Sequence, residues 1–239
     1  MAKQELVEIK KGQIGRGLLI ENDGYTSLDM PQNRELRESF GIGDGRRISP
    51  KDLPNPFVVS AVFQKFGIEN ANGRVYPEAT LKSAVDKYLI NIKDRRAYGE
   101  ANHPEGSNIS VLNIAMNIIE LHWENHTLVG KMEIPISEGF RTMGIVSTSA
   151  DMVAQWLISG LRLGVSSRGL GSVEKHFGQL VVGDDYEIVC WDVVAQPSTP
   201  QAYIGFTDSE LAPYVESEKK EGNNINESKY DKFEKWLLT

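Results

Sequence analysis

The chain has 239 residues, of which 40% are hydrophobic and 25% are charged, and its formal net charge is −7. This length allows one sizeable domain with appendages or two small domains. The acidic balance lacks the electrostatic signature of a nucleic-acid-binding protein. The apolar runs are far shorter than the roughly eighteen residues that a membrane helix needs. We therefore expect neither a nucleic-acid partner nor a membrane partner.

Cys190 is the only cysteine, which excludes an internal disulfide and favours a reducing compartment. The N-terminus lacks the apolar segment of a signal peptide, so a cytosolic location is expected. Cys190 stands among apolar residues of a predicted strand. An inert buried thiol is therefore favoured there over a thiol nucleophile.

Composition divides the chain into three parts. Residues 1–56 predict an irregular leader and linker, with one or two strands over residues 7–20 and a short helix over residues 33–40. Residues 57–207 predict the folded domain. Residues 208–239 predict a polar tail that ends in a helix over residues 229–238.

The folded domain alternates strand patterns with two helical patterns. Apolar residues at helical spacing predict helices, and β-branched or alternating segments predict strands. The predicted helices cover residues 77–91 and 139–161, and the predicted strands cover residues 57–63, 111–123, 127–134, 163–174 and 186–195. A loop around Gly144 and residues 147–149 is the alternative for the early part of the second helix.

Residues 164–173, GVSSRGLGSV, carry the strongest candidate for chemistry. Two adjacent hydroxyls lie between glycines, and glycine allows another chain to approach the backbone closely. The N–H groups of Arg168 and Gly169 are candidate donors to the oxyanion that forms in acyl transfer. On spacing alone, an ordinary polar turn explains the same residues.

A nucleophilic serine needs a base and a group that orients the base. His103 lies in a segment where apolar periodicity stops, and loops on a rigid scaffold often carry chemistry. Asp192 alternates with apolar residues on one face of its strand, where a buried carboxylate requires a partner. Ser166 or Ser167, His103 and Asp192 could therefore form a triad, although such residues are common and other selections exist.

A zinc site is the main rival among the remaining polar residues. His122 and His126 are four residues apart, but a hairpin turn is predicted between them and no HExxH pattern is present. We expect no metal and no other cofactor.

Three motifs resemble the prohead maturation proteases of tailed bacteriophages, specifically the myovirus-type prohead core protease. They are NGRVYP at 72–77, GEANHP at 99–104 and GVSSRGLGS at 164–172, followed by DVV at 192–194 and PSTP at 197–200. They occur in the family's order and cover about residues 57–206. The resemblance implies an α+β fold with a mainly antiparallel, β-barrel-like core and flanking helices, as in the herpesvirus assemblins.

The resemblance also implies a serine endopeptidase that cuts scaffold and capsid proteins, inside the prohead, in the host cytoplasm. A homo-oligomer is expected. The alternative from a different class is a scaffold or core protein that keeps this fold and is catalytically silent.

Residue by residue, the resemblance implies Ser166 as the nucleophile and His103 as the general base, with Ser167 as the second candidate nucleophile. Arg168 and Gly169 are implied to line the oxyanion site.

The third member of the triad is left open by the resemblance. Asp192 fits both the family pattern and the argument from alternation. Glu100 or His122 could take its place, since the assemblins use a second histidine.

Self-processing is a further implication of the resemblance. Relatives cut after glutamate in a short (Leu/Ile)-x-Glu sequence that precedes a small residue, and residues 225–228, INES, have this form in the polar tail. Residues 136–139, ISEG, also match and would cut the domain itself. We predict a maturation cut after Glu227, because proteolytic nicking concentrates in exposed tails.

Overall fold

The computed structural model describes residues 7–21, 49–104 and 106–205. A short 3-10 helix, Pro50–Asp52, precedes the main elements. The helices are α1 (Glu78–Lys93), α2 (Glu138–Met143) and α3 (Ser149–Ile158). The strands are β1 (Gly15–Ile20), β2 (Val58–Lys65), β3 (Arg74–Val75), β4 (Tyr98–Glu100), β5 (Ile114–Glu124), β6 (Thr127–Glu133), β7 (Gly164–His176), β8 (Gln179–Val182), β9 (Glu187–Val194) and β10 (Ile204–Gly205).

The described strands form two five-stranded sheets. In the first sheet β7 is the central strand, and it pairs antiparallel with β1, β8 and β9. β3 adds to this sheet through a parallel pairing with β8. The second sheet has the order β10-β2-β6-β5-β4, and all its pairings are antiparallel.

The two sheets meet at isolated bridges. Ala101, just after β4, bridges Val193 of β9, and Gly164 of β7 bridges Tyr203 beside β10. The mixed α+β class is confirmed, but over the described residues the strands form two sheets rather than one closed barrel. The first bridge matters for chemistry, because it places the loop after β4 against β9.

A shared core fills the space beneath both sheets and under α1. Trp191 of β9 meets Phe63 and Tyr88 edge to face, with ring centroids 5.6 and 5.1 Å apart. Such aromatic pairs add about 0.5–1.5 kcal/mol each beyond their buried area. The predicted apolar face of α1 is buried here through Leu81 and Val85, so its interpretation as core packing is confirmed.

The helical pattern over residues 139–161 forms two helices rather than one, and they are separated at the part around Gly144 and residues 147–149 where a loop was the alternative. α2 ends at Met143, and the next residue, Gly144, terminates it because its φ of 70° lies in the left-handed region. α3 then begins with a capping box, in which the side chains of Thr148 and Asp151 each accept from the other residue's backbone N–H.

The short strands β3, β8 and β10 were missed by the sequence interpretation. β7 continues to His176 and returns as β8 through a tight turn at Phe177 and Gly178, where φ is 49° and 91°. The helices predicted over 33–40 and 229–238, and the predicted cut after Glu227, lie outside the described residues.

Residues 15–20 of the predicted leader pair with the folded domain. Six residues of β1 lie antiparallel to β7, from Gly15 opposite Val173 to Ile20 opposite Arg168. None of the described helices is long and apolar enough to cross a membrane.

Asp151 stabilises the segment that joins α2 to α3. Its buried carboxylate accepts hydrogen bonds from the backbone N–H groups of Ser137, Ser147 and Thr148 at 2.6, 3.0 and 3.1 Å. We expect Asp151→Ala to lower the free energy of unfolding by about 2 kcal/mol, because three backbone N–H groups lose their carboxylate acceptor and the capping box at the start of α3 is lost. Urea denaturation measures this loss. Thr142→Ala, at an exposed position of α2, is the control. An equal loss of unfolding free energy in both variants would contradict the stabilising role of Asp151.

Candidate active site

A buried arginine organises the site. The Arg168 guanidinium donates to Asp192 through Nε at 2.6 Å and Nη2 at 3.1 Å, and to Glu100 through Nη2 at 2.5 Å. Its Nη1 donates to the Gly106 carbonyl at 2.7 Å. Burial lowers the pKa of Arg168, but the hydrogen bonds and charges of its acidic partners outweigh burial and leave that pKa raised. The guanidinium therefore stays charged and joins β4, β7, β9 and the loop after β4.

Asp192 in turn holds His103. Asp192 Oδ2 lies 2.7 Å from His103 Nδ1, and both side chains are fully buried. Burial raises the pKa of Asp192, but the hydrogen bonds from His103 and Arg168 lower it by more. The net result is a pKa below the ordinary value of an aspartate. An ionised Asp192 favours the tautomer of His103 with the proton on Nδ1, which leaves Nε2 as the acceptor.

His103 Nε2 is the buried atom that a reacting hydroxyl would meet. It has no hydrogen-bond partner among the residues that the structure describes. Asn102, the residue before it, has a φ of 71° and donates its N–H to the Val193 carbonyl at 2.7 Å. This hydrogen bond holds the loop against β9, and Asp192 holds the ring. The imidazole is therefore positioned through the backbone next to His103 and through its own side chain.

The two candidate serines lie on opposite faces of β7. Ser166 is directly opposite Asp192 in the ladder between β7 and β9, so its side chain shares a face with Asp192 and Arg168. Ser167 is opposite Trp191 and therefore shares the core-facing side. The geometry groups Ser166, and not Ser167, with the His103–Asp192 pair.

Ser166 is buried and its hydroxyl has another partner. Oγ donates to the main-chain carbonyl of Glu21 at 2.5 Å. Since His103 Nε2 has no partner in the described residues, the serine–histidine hydrogen bond is not formed in this structure. The base and the orienting carboxylate are in contact, while the hydroxyl faces β1.

The other candidates for the third position have different contacts. Glu100 is buried and accepts from Arg168 and from the Ser110 N–H at 3.0 Å. His122 lies on β5 with its side chain 47% exposed, 3.4 Å from Glu120 and Glu124. Asp192 is the carboxylate that touches the His103 ring.

Arg168 and Gly169 were predicted to offer backbone donors to an oxyanion. Both lie in β7 between β1 and β9, where strand N–H groups point toward neighbouring strands. Gly169 also has a packing reason to be glycine, because a Cβ there would lie 2.3 Å from the Tyr186 ring. The side chain of Arg168, which the sequence analysis did not use, has the larger structural role.

Sequence reasoning missed Glu21, whose carboxylate is buried and bound by five side chains. Two signals were available. Leu19-Ile20-Glu21 has the (Leu/Ile)-x-Glu form, although Asn22 follows it rather than a small residue. The other signal is the NGRVYP motif at 72–77, which supplies three of the five donors: Asn72, Arg74 and Tyr76.

A strand serine beside a buried carboxylate–imidazole pair defines a candidate serine hydrolase site. Comparison with known proteins agrees with this class. A sequence profile described as "Prohead core protein serine protease" matches residues 18–211, and the chain belongs to that family. The resemblance inferred from the motifs is therefore confirmed.

Two similar proteins come from bacteriophage T4. The chain is 30% identical over 149 residues to the prohead core protein protease of Enterobacteria phage T4; the match covers 61% of this chain and 66% of that protein, just under two thirds. The solved structure of the bacteriophage T4 capsid assembly protease, gp21, matches with a TM-score of 0.53 and 25% identity. That match covers 59% of this chain and 82% of the T4 chain.

Arg168→Lys tests the organising role of the guanidinium. Lysine keeps the charge but cannot span both carboxylates, so we expect the free energy of unfolding to fall by about 3 kcal/mol. The control is Arg16→Lys, because Arg16 pairs with Asp185 while its side chain is 79% exposed. That change should cost less than about 0.5 kcal/mol. Urea denaturation followed by tryptophan fluorescence compares them, and similar losses would contradict the role of Arg168.

Proposed function

We propose that this protein is a serine endopeptidase that cleaves scaffold and capsid proteins, and itself, during prohead maturation. The observation that carries the proposal is the 2.7 Å contact of Asp192 with His103, with Ser166 directly opposite Asp192 on the same face of the sheet. Membership of the prohead core protein serine protease family supports the same reaction class.

In the proposed mechanism, Ser166 is the nucleophile, His103 is the base and Asp192 is the orienting carboxylate. Rotation about the Ser166 Cα–Cβ bond turns its hydroxyl from the Glu21 carbonyl toward His103 Nε2. His103 takes the proton as Oγ attacks the scissile carbonyl, then passes it to the leaving amine. Water repeats the cycle and releases the acyl group from Ser166.

Arg168 and Glu100 act through Asp192 in this mechanism. Asp192 accepts two hydrogen bonds from the Arg168 guanidinium, and its Oδ1 accepts a third from the Glu100 N–H at 2.8 Å. These bonds keep the carboxylate ionised and fix its orientation. Asp192 can then stabilise the imidazolium that forms when His103 is protonated. A role for the N–H groups of Arg168 and Gly169 at the oxyanion requires their release from the neighbouring strands.

The wider proposals follow from the family. We infer an assemblin-like core, supported by the bridges that join the two sheets at β4–β9 and at β7–β10. The division into a leader over 1–56, a protease domain over 57–207 and a processed tail over 208–239 belongs to this proposal. So do a homo-oligomeric state and a location inside the prohead in the host cytoplasm.

Ser166→Ala tests the nucleophile. Because triad residues act as a unit, we expect kcat toward a glutamyl peptide to fall by at least about 10³-fold. Ser167→Ala is the matched variant on the opposite face and should retain most activity. A fluorophosphonate probe should label wild type and Ser167→Ala but not Ser166→Ala. Absence of labelling in every form would favour the catalytically silent scaffold protein, and the reverse pattern would identify Ser167.

The cut predicted after Glu227 is tested by intact-mass measurement. Wild-type protein should yield a fragment ending at Glu227, and the Ser166→Ala form should not. Glu227→Gln should remove this fragment while leaving labelling by the fluorophosphonate intact. Equal masses for wild type and Ser166→Ala in this region would contradict the prediction.

A further inference from the structure

Apolar side chains are exposed along one face of α3. Ser149, Met152 and Trp156 share this face by helical spacing, and Trp156 is exposed. The Ser149 hydroxyl donates to the Leu112 carbonyl at 3.3 Å, so Leu112 lies at the N-terminal end of the same face. The Leu112 side chain is 84% exposed. The outer face of α3 therefore offers apolar surface to another segment.

This apolar surface continues past the C-terminus of α3. The Leu161 N–H donates to the Trp156 carbonyl at 3.0 Å, and the Gly160 N–H donates to the Leu157 carbonyl at 2.9 Å. With the φ of 78° at Gly160, these bonds form a Schellman motif, in which the side chains at the positions of Trp156 and Leu161 are commonly neighbours. Leu161 is 55% exposed. We define the α3 strip as Leu112, Met152, Trp156 and Leu161.

The described part of the chain ends near the Leu161 end of the α3 strip. The Ile204 N–H donates to the carbonyl of Leu163, two residues after Leu161, at 2.9 Å. Gly205, the next residue, is the last one described. Residues 206–239 therefore continue from a point beside the strip.

The last residues of the chain carry an apolar face of matching length. In the helix that the sequence predicts over residues 229–238, Tyr230, Phe233 and Leu237 recur at positions i, i+3 and i+7. This spacing places them on one side of a helix. A ten-residue helix is about 15 Å long, which is also the length of the ten-residue α3.

Residues 206–228 are long enough to return this predicted helix to α3. A flexible chain of that length has a root-mean-square end-to-end distance of about 25 Å, more than the 15 Å or so that α3 spans. A tether of this kind gives the attached segment an effective concentration that approaches the millimolar range. A second copy of the chain is the competing occupant, and in dilute solution the tethered segment outcompetes it.

We propose that residues 229–238 form a helix that packs its apolar face on the α3 strip of the same chain. Phe233 lies at the middle of the predicted face, and docking removes the apolar side chains of both helices from water. The contact uses none of the residues proposed for catalysis. It therefore does not depend on the proposed function.

One consequence of the docking does rest on the proposed function. The cut predicted after Glu227 falls between the folded domain and the docked helix. After the cut, the helix loses the effective concentration that its tether supplied. It would then dissociate and expose the α3 strip.

Photocrosslinking of full-length Ser166→Ala, which keeps the tail attached, tests the occupant. A benzophenone amino acid at position 233 should crosslink within one chain to the peptides that contain Leu112 or residues 149–161. The same group at position 231, on the opposite side of the predicted helix, is the control and should give less than about a tenth of this yield. Crosslinks between chains would replace the proposal with a second copy. Crosslinks to other parts of the same chain, or none at all, would also overturn it.

Hydrogen exchange of the backbone amides of residues 149–161 measures the docking itself. In the Ser166→Ala chain, adding Phe233→Ser should raise this exchange at least about tenfold, because the docked helix loses its central apolar contact. Lys235→Ser changes the polar side of the predicted helix and should leave the exchange unchanged. Equal exchange in the two variants would overturn the docking.

Wild-type protein separates the docking from the proposed cut. Once cut after Glu227, it should exchange over residues 149–161 as the Phe233→Ser variant does. Wild type that stays whole overturns the cut and leaves the docking standing, because the docking is measured in the Ser166→Ala chain. Cut protein that keeps slow exchange overturns the release of the helix.

Discussion

The charge balance around Arg168 is the constraint on which the rest of the site depends. One buried guanidinium meets two buried carboxylates, and breaking such an arrangement leaves an uncompensated charge in a low dielectric. Because Arg168 is on β7, Glu100 on β4 and Asp192 on β9, satisfying these charges fixes where the two sheets meet. The loop that carries His103 follows β4 at this junction, so the His103 imidazole reaches Asp192.

A second buried arginine holds the other side of Ser166. Arg74 and Glu21 form an ion pair whose side chains are 1% and 2% exposed, and this pair ties the N-terminal segment to β3. Ser166 lies between the cluster around Arg168 and the pair of Arg74 with Glu21. It is opposite Asp192 in the ladder of β7 with β9, and its hydroxyl donates to the Glu21 carbonyl. Two buried clusters of ion pairs thus determine which groups surround one hydroxyl.

Local patterns predicted the helix face of α1, the hairpin of β5 and β6, and the need of Asp192 for a partner. The motifs grouped Ser166 with His103, sixty-three positions apart in the chain. The break before α3 was indicated by Gly144 and residues 147–149, while apolar periodicity alone would have continued one helix through them. The contacts of the Arg168 guanidinium were not predictable in this way, because its partners come from distant segments and no short spacing records the contact. The motif at 72–77 marked the donors around Glu21, but nothing in it indicated that Glu21 was their acceptor.

The pairing of β1 with β7 has a consequence for the surroundings of Ser166. The six paired residues set the register of the two strands, and the Ser166 hydroxyl bonds to the carbonyl of the residue that follows β1. A shift of this register by one residue would turn the side chains of β1 to the other face of the sheet. The register of a strand that is distant in sequence therefore decides which main-chain carbonyl meets the serine.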